Sequence, residues 1–431
     1  MMWQKYTKRL AQFFLAVALI ASSLLPGMPA AVAAEAQPDL QLEVKSAILV
    51  EASTGKILYK HNENLPLPPA SMTKMMTEYL VLEAIKEGKI DWEEKVPVSE
   101  YAFFIARKSD SAGVYLNMGE EHTVKELYKA MAIVSANDAT ALLAEKVAGS
   151  EANFVDMMNQ KAKELGMTNS HFATSTGLPA KELGPYSPKT DQDTVMSARD
   201  AAILARALIR DFPEALEYSK IPRLKFRENF EKANYNWMLP GLPSEYPGVD
   251  GLKTGYTDEA QHCFTGTASR DGMRLIAVVM GTSSDLKRFA ETKKLFDYGF
   301  SNYKLVKKLG KDQPVEGFES AEVKKGVELT VPAVTGEDVM ILSKVGEEGN
   351  LTPQVTYRND LTAPVKKGQV IGSVVYAAQG ESEADYLRPE DFTNRGSELV
   401  AAQDVEEASW IRLLFRSIIQ FIADMVKGVI G

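Results

Sequence analysis

The sequence contains almost none of the residues that build disulfides and metal centres. Its 431 residues include one cysteine, Cys263, and four histidines. A lone thiol cannot form a disulfide within the chain, and so few histidines argue against a histidine-rich metal site. The chain also lacks an excess of positive charge, because 49 Lys and Arg residues face 58 Asp and Glu residues, for a net charge of −9. Duplex nucleic acid binds to basic surfaces that neutralise its phosphates, so it is not expected as the main partner.

The composition is otherwise that of an ordinary globular protein. Hydrophobic residues make up 45% of the chain and charged residues 25%, which argues against a disordered or fibrous protein. At about 100–200 residues per domain, the length allows two or three domains.

The first residues, 1–36, are typical of an export signal. A positively charged start is followed by an apolar run over 13–25 and by mostly small residues over 30–36. This order matches a secretory signal peptide with its cleavage site. The alternative is a retained membrane anchor, but the apolar run is short for a membrane span, so removal of the segment is favoured.

The last residues, 409–431, are predicted to form an amphipathic helix. Its polar residues recur every three or four positions: Arg412, Arg416, Gln420, Asp424 and Lys427. Helical periodicity gathers them into one stripe opposite a broad apolar face. A spanning helix would not tolerate that stripe, whereas a helix lying in the membrane surface requires it. A core-packing or oligomerising helix is the alternative. The acidic, small-residue stretch 391–408 before it is predicted to be a linker, which favours membrane-surface anchoring.

The middle of the chain divides into two domains. Over 37–303, apolar strand patterns come first, helical patterns follow, and strands around an Asp-Gly turn and a final helix complete the segment. This order predicts one α+β domain whose sheet joins both ends of the segment. Over 304–390, short β-branched runs alternate with Gly, Pro and Lys-Lys-Gly turns. They predict a small all-β sandwich domain, which lacks any cluster of catalytic residue types.

The first candidate for chemistry is the run Ser71-Met72-Thr73-Lys74 at the start of a predicted helix, 72–87. The two polar side chains lie one turn apart on the same face. A serine hydroxyl needs a neighbouring base to become a nucleophile, and a lysine can serve if burial keeps part of it neutral. On its own, the pattern is equally typical of a helix-capping serine beside a solvated lysine.

Two further tripeptides are candidates for the same site. Ser135-Ala136-Asn137 falls between two helical stretches, where it could relay a proton and hold an amide, or simply cap a helix. Lys253-Thr254-Gly255 falls on a predicted strand, where the glycine would let a substrate backbone approach and the other two would meet an anion. A plain turn is the alternative.

Together, and in this order, the three motifs resemble the Ser-x-x-Lys, Ser-Asp-Asn and Lys-Thr-Gly set that marks class A β-lactamases and penicillin-binding proteins. The chain resembles the low-molecular-mass penicillin-binding proteins of the D-alanyl-D-alanine carboxypeptidase type, as in Bacillus-like bacteria. The resemblance covers nearly the whole chain and is strongest over 70–77 and 250–258. It implies a β-lactamase/transpeptidase-like domain, then the β-sandwich domain and the amphipathic helix.

The resemblance also implies a mechanism without metal or cofactor. Ser71 attacks the carbonyl between the two terminal D-alanines of a peptidoglycan stem peptide, Lys74 is its general base, and Ser135 passes the proton to the leaving D-alanine. The implied substrate-binding residues are Asn137, Lys253, Thr254, Gly255, Tyr256 and Arg288. The N–H groups of Ser71 and Tyr256 would form the oxyanion hole. β-Lactams would acylate Ser71, and the enzyme would limit wall cross-linking from the outer face of the cytoplasmic membrane.

Some features depart from this pattern and leave alternatives open. The second motif has Ala136 where class A β-lactamases have aspartate, and Tyr256 stands where some relatives have histidine. No Glu-x-x-Leu-Asn run occurs over 150–200, which disfavours a serine β-lactamase. A non-catalytic, surface-anchored binding protein of the same fold is the other alternative. Cys263 is expected in the core, with His262 on the opposite face of the strand, so that they form no dyad.

Overall fold

The structure, a computed structural model of the protein, describes residues 37–109, 111–187, 192–349, 351–378 and 380–430. The expected export signal, 1–36, lies outside these residues. The α-helices are α1 (Lys74–Lys86), α2 (Glu100–Ala106), α3 (Val124–Val134), α4 (Asn137–Ala148), α5 (Glu151–Leu165), α6 (Ala198–Asp211), α7 (Ala215–Ser219), α8 (Asp285–Asn302), α9 (Pro389–Thr393) and α10 (Trp410–Ile430). Short 3-10 helices cover Ala70–Thr73, Ala180–Tyr186 and Glu383–Asp385.

The strands fall into two groups, one over 46–282 and the other over 303–401. Those of the first group are β1 (Ser46–Glu51), β2 (Ile57–His61), β3 (Lys95–Pro97), β4 (Glu121–Thr123), β5 (Arg223–Arg227), β6 (Phe230–Ala233), β7 (Val249–Thr257), β8 (Gln261–Arg270) and β9 (Met273–Thr282). Those of the second are β10 (Tyr303–Leu309), β11 (Ser320–Glu322), β12 (Thr330–Thr335), β13 (Val339–Lys344), β14 (Thr352–Tyr357), β15 (Val370–Ala377) and β16 (Ser397–Ala401).

The main sheet joins the two ends of the first domain, as the sequence predicts. Its order is β2-β1-β9-β8-β7, and neighbouring strands are antiparallel. Every residue of β1 is buried, because both faces of the sheet are covered. Ile48 and Val50 pack against the helical layer that includes α1, α3 and α4. Ala47 and Leu49 pack against α8 on the other face. Strand β7 is left at an edge, facing the helical layer.

Local signals account for several helix ends. Thr123 and Glu126 form the capping box that their spacing predicts at the start of α3. Gly149 and Gly166 adopt left-handed conformations just after α4 and α5, where a residue without a Cβ ends a helix at little cost. The helical layer is therefore fixed by sequence signals at its ends and by apolar packing along its length.

The predicted linker, 391–408, is wrong. Strand β16 lies inside this stretch and occupies the centre of the five-stranded sheet β11-β12-β16-β15-β14. Its Leu399 and Ala401 are buried in the core of the second domain. Asp391, at the start of the stretch, is paired rather than solvated, since its carboxylate lies 2.7 Å from Arg206 of helix α6. The β domain thus extends through the stretch that its composition suggested was open chain.

Helix α10 follows immediately and carries a largely exposed apolar face. Trp410 is 73% exposed and Ile419 is 65% exposed. Arg416 ties the helix to the β domain, because its guanidinium donates to the carbonyl oxygens of Gly326 at 2.6 Å and Val327 at 2.7 Å. Among the described residues, no helix is both long enough and apolar enough to cross a membrane.

Candidate active site

Ser71 lies in the 3-10 helix Ala70–Thr73, which runs directly into α1. It is half-buried and is not the residue that precedes α1, so the helix-capping alternative is wrong. Ala70 before it has a φ of 49°, a left-handed conformation that a residue with a Cβ adopts at an energetic cost. Such strain is concentrated at functional sites, where the surrounding structure enforces it.

Lys74 is completely buried, which also excludes the solvated-lysine alternative. Its Nζ lies 2.9 Å from Ser71 Oγ, 2.5 Å from Asn137 Oδ1 and 2.8 Å from the carbonyl oxygen of Thr176. The structure therefore brings the first two sequence motifs together on one amine.

These three contacts suit a neutral amine as well as an ammonium. A neutral amine has two N–H donors and one lone pair. The oxygens of Asn137 and Thr176 can only accept, so they take the two donors. The Ser71 hydroxyl can either accept or donate, and it is the partner left to donate its proton to the lone pair. The geometry is thus that of a base already aligned with its nucleophile.

The electrostatic surroundings favour the neutral form of Lys74. Burial lowers its pKa well below the ordinary value, and the positive charge of Lys253 lowers it further. Asp138, Glu78 and Glu151 oppose this and raise the pKa. Desolvation prevails, which is the usual outcome for a lysine without a direct ion pair.

The second motif forms the junction between α3 and α4. Ser135 ends α3 in a left-handed conformation, with φ of 57°. Its hydroxyl is buried and has no hydrogen-bond partner among the described residues, an arrangement that calls for an explanation beyond folding. Asn137 opens α4 and places its amide oxygen on Lys74, while its amide nitrogen donates to Ser111 Oγ at 2.7 Å. Neither side chain caps a helix.

The third motif lies on edge strand β7, beside the Ser71 turn. Lys253 and Thr254 are buried, and burial lowers the pKa of Lys253. Gly255 allows the strand to approach the Ser71 turn closely. An added Cβ would overlap the carbonyl oxygen of Pro69 and lie 3.3 Å from the backbone nitrogen of Met72. The lysine and the threonine therefore lie on the strand that packs directly against the Ser71 turn.

The remaining two predicted residues differ in exposure. Arg288, on α8, is buried and donates to the carbonyl oxygen of Gly255 at 3.2 Å, and its Nη2 lies 2.5 Å from Asp285 Oδ1. Tyr256 is 52% exposed, with its ring 4.5 Å from that of His262. Arg288 thus lies directly behind the third motif, and Tyr256 is the accessible side chain at its end.

Sequence reasoning missed four contributors to this site. Glu78 is a buried carboxyl one turn beyond Lys74, and an isolated glutamate in a helix gives no signal of burial. Thr176 contributes only a backbone oxygen, and Ser111 lies in a loop without a motif. Gly177 packs against the turn from another side, since a Cβ there would overlap the carbonyl of Ala70. Only this last one, a glycine after three hydroxyl residues, offered a pattern to notice.

A nucleophilic role for Cys263 gains no support. Cys263 is fully buried in the core, and burial raises the pKa of its thiol to about 11. His262 beside it points away and lies 3.0 Å from Asp285, so the two form no dyad, as predicted. Within the described ranges, no group of His, Cys, Asp and Glu side chains could hold a metal ion.

Comparison with known proteins agrees with this fold. The family model for D-alanyl-D-alanine carboxypeptidase matches residues 31–284, and that for the penicillin-binding protein 5 C-terminal domain matches 303–407. The D-alanyl-D-alanine carboxypeptidase DacF of Bacillus subtilis is 38% identical over 407 residues, which cover 94% of this chain and 97% of the relative.

Solved structures give the same result. A peptidoglycan synthesis regulatory factor (PBP3) from Streptococcus pneumoniae aligns with a TM-score of 0.77 at 36% identity, covering 85% of this chain and all of that one. Penicillin-binding protein D2 from Listeria monocytogenes, solved in an ampicillin-bound form, aligns with a TM-score of 0.53 at 34% identity, covering 61% of this chain and all of that one.

The chain belongs to the D-alanyl-D-alanine carboxypeptidase family. The fold class, the enzyme class and the function predicted from the sequence are thereby confirmed.

Proposed function

We propose that this protein is a serine-type D-alanyl-D-alanine carboxypeptidase that removes the terminal D-alanine from peptidoglycan stem peptides through an acyl-enzyme on Ser71. The observation that carries the proposal is the buried Lys74 amine, 2.9 Å from Ser71 Oγ. Family membership supports the reaction class, and this contact supports the assignment of the two residues to it.

In the acylation step, Ser71 Oγ attacks the carbonyl carbon between the two D-alanines while Lys74 Nζ takes the hydroxyl proton. The oxygen–carbon bond forms, the carbon–nitrogen bond breaks, and Ser135 passes the proton to the leaving amine of D-alanine. The unpartnered, buried hydroxyl of Ser135 supports this role. Water then attacks the ester, giving the shortened peptide and regenerating Ser71.

Substrate binding is assigned to the remaining predicted residues. Thr254 and Arg288 would bind the terminal carboxylate with the charge of Lys253 nearby, and Asn137 would hold a substrate amide. The N–H groups of Ser71 and Tyr256 would stabilise the oxyanion. The close approach of Gly255 to the Ser71 turn supports this assignment, because it sets the strand and the nucleophile side by side.

The test is release of D-alanine from diacetyl-Lys-D-Ala-D-Ala by purified protein. We expect release from the wild type and none above background from Ser71→Ala. Ser301→Ala is the matched control, because Ser301 is exposed near the end of α8. Absence of release from the folded wild type, or equal release from Ser71→Ala, would favour the non-catalytic binding protein.

We propose that β-lactams acylate Ser71 and that the resulting acyl-enzyme is hydrolysed slowly. The Listeria relative was solved with ampicillin bound, and a β-lactam resembles the D-alanyl-D-alanine end. Glu151 lies within 150–200, where a class A β-lactamase would carry its deacylating glutamate, but both its oxygens accept from Ser175 at 2.7 Å. Mass spectrometry should therefore detect a long-lived ampicillin adduct. Rapid ampicillin hydrolysis without a trapped adduct would identify a β-lactamase instead.

We propose that the protein acts outside the cytoplasm, held on the outer face of the cytoplasmic membrane by α10. Support comes from the exposed apolar face of the helix, with Phe415 62% and Phe421 65% exposed, beside its polar stripe. Removing residues 409–431 should yield active enzyme that no longer sediments with vesicles containing anionic phospholipid. If the truncated protein still sediments, the anchor lies elsewhere.

A further inference from the structure

We propose that Glu78 is a positioning residue that sets which of Lys74 and Lys253 holds a proton, and thereby the pH range in which Ser71 can be activated. The inference rests on the proposed function, because it concerns the base of that reaction. Glu78 does not touch Ser71 in the structure and would act only through the two lysines.

The placement of Glu78 is unusual for a glutamate. It lies four residues after Lys74 on α1, on the same helical face, and is 3% exposed. Its Oε2 accepts a hydrogen bond from the hydroxyl of Tyr128 on α3 at 3.1 Å. Tyr128 is itself fully buried. A buried carboxyl held by one neutral donor is costly to ionise, so its presence beside two lysines calls for a reason beyond packing.

Several elements surround this carboxyl. Lys74 on its own helix, Lys253 on β7 and Tyr128 on α3 all act on its charge, and Tyr128 also donates the hydrogen bond. A second set of charged and titratable groups acts on these neighbours: Asp138 and Glu151 on Lys74, Arg288 on Lys253, and Tyr218 and Glu214 on Tyr128. Glu78 acts on both lysines.

The charges of the three groups oppose one another. Burial raises the pKa of Glu78, while Lys253, Tyr128 and Lys74 lower it. In return, an ionised Glu78 raises the pKa of both lysines. The protonation of the three groups is therefore coupled, and the state of one depends on the state of the others.

This coupling bears directly on the base. When Glu78 is ionised, it favours ammonium at Lys74, which cannot accept the Ser71 proton. When Glu78 is neutral, the charge on Lys253 acts unopposed by Glu78 and favours the neutral amine at Lys74. Glu78 would thus place the activity window at a higher pH than the lysine pair alone would give.

The test is the pH dependence of ampicillin acylation, followed by intact-protein mass spectrometry, in the full chain with Glu78→Gln. The amide keeps an oxygen that can accept from Tyr128, so packing is preserved while the negative charge is lost. The rising and the falling limb of the rate-against-pH profile should both move to lower pH by about one unit. Removing the negative charge of Glu78 lowers the pKa values of the neighbouring lysines by about that much or more.

Two further variants keep the test decisive. Glu83→Gln is the matched control, because Glu83 lies on the same helix but pairs with Lys161 at 2.8 Å, and its profile should not move. Tyr128→Phe removes the hydrogen bond that favours ionised Glu78, and should shift the profile in the same direction by a smaller amount. It also provides the answer if Glu78→Gln does not fold.

The outcomes separate this inference from the proposed function. If the wild type forms no adduct at any pH, the proposed function fails. If the wild type acylates and the limbs of Glu78→Gln stay in place, the positioning role is overturned, even if that variant is less stable or slower. A loss of rate or stability without a shift of the pH profile would mark Glu78 as a purely structural residue. If Glu78→Gln does not fold, an unchanged pH profile in Tyr128→Phe would overturn the positioning role.

Discussion

Replacing Gly255 with alanine tests whether β7 and the Ser71 turn are held together as tightly as the structure indicates. The added Cβ would overlap the carbonyl oxygen of Pro69. Their separation would be well below 3.0 Å, a distance under which real Cβ contacts are essentially never seen. The opposing atom belongs to the backbone, so no side chain can rotate away. The strand and the turn must separate by on the order of 1 Å before the contact becomes ordinary.

That displacement would separate the two parts of the candidate site, the Ser71 turn and strand β7. Ser71 and Lys74 would move relative to Lys253 and Thr254, while each pair stays intact. A misplacement of about 1 Å can lower a rate about 100-fold, and we expect a loss of that size in the acylation rate of Gly255→Ala with ampicillin. Overpacking should also cost about 1–3 kcal/mol of stability.

The assay is the second-order rate of ampicillin adduct formation, with thermal unfolding measured on the same samples. Gly349→Ala is the control, because an added Cβ at Gly349 meets nothing within 4 Å. A folded Gly255→Ala that acylates at the wild-type rate would refute the reasoning, since the strand could then not be as close to the turn as described.

Three further predictions follow from the contacts of single residues. Because the pKa of Lys74 lies well below the ordinary 10.5, acylation should rise with pH well before that value, and Lys74→Arg should abolish it at every pH, since a guanidinium keeps its proton. Cys263→Ser should keep the wild-type acylation rate while lowering the melting temperature, because it adds a hydroxyl to a fully buried position. Arg416→Ala should speed amide hydrogen exchange across α10 by about tenfold or more, because two charge-assisted hydrogen bonds to the β domain are lost; unchanged exchange would show that they do not hold the helix.

Much of the catalytic domain could be predicted because its signals are local. The capping box at Thr123, the glycines that end α4 and α5, and the Asp-Gly turn between β8 and β9 each act within a few residues. The assembly of the three motifs around Lys74 could not be predicted in this way, since no local signal joins the segments of Ser71, Asn137 and Lys253. It could be expected only from the order of the three motifs and their resemblance to a known family.

The contributors that escaped prediction have no signature of their own in the sequence. The Thr176 carbonyl could belong to any residue, and its contact with Lys74 depends on where the chain happens to turn. Glu78 resembles a solvated helix residue, because its burial is decided by α3 and β7 and not by its neighbours along the chain. Groups of this kind are set by tertiary packing, which single-sequence patterns do not encode.

The folded structure of 391–408 bears on the distance between helix α10 and Ser71. Composition suggested an open linker, yet the stretch holds a central strand, and Arg206 and Lys56 of the catalytic domain form ion pairs with Asp391 and Glu381 beside it. Helix α10 is in turn fixed to the β domain through Arg416. With ordered connections at both joints, the distance between the helix and Ser71 is set by folded structure. If α10 anchors the enzyme to the membrane surface as proposed, the enzyme would act on wall peptides within a narrow range of heights above the membrane, whereas a flexible linker would allow a wider range.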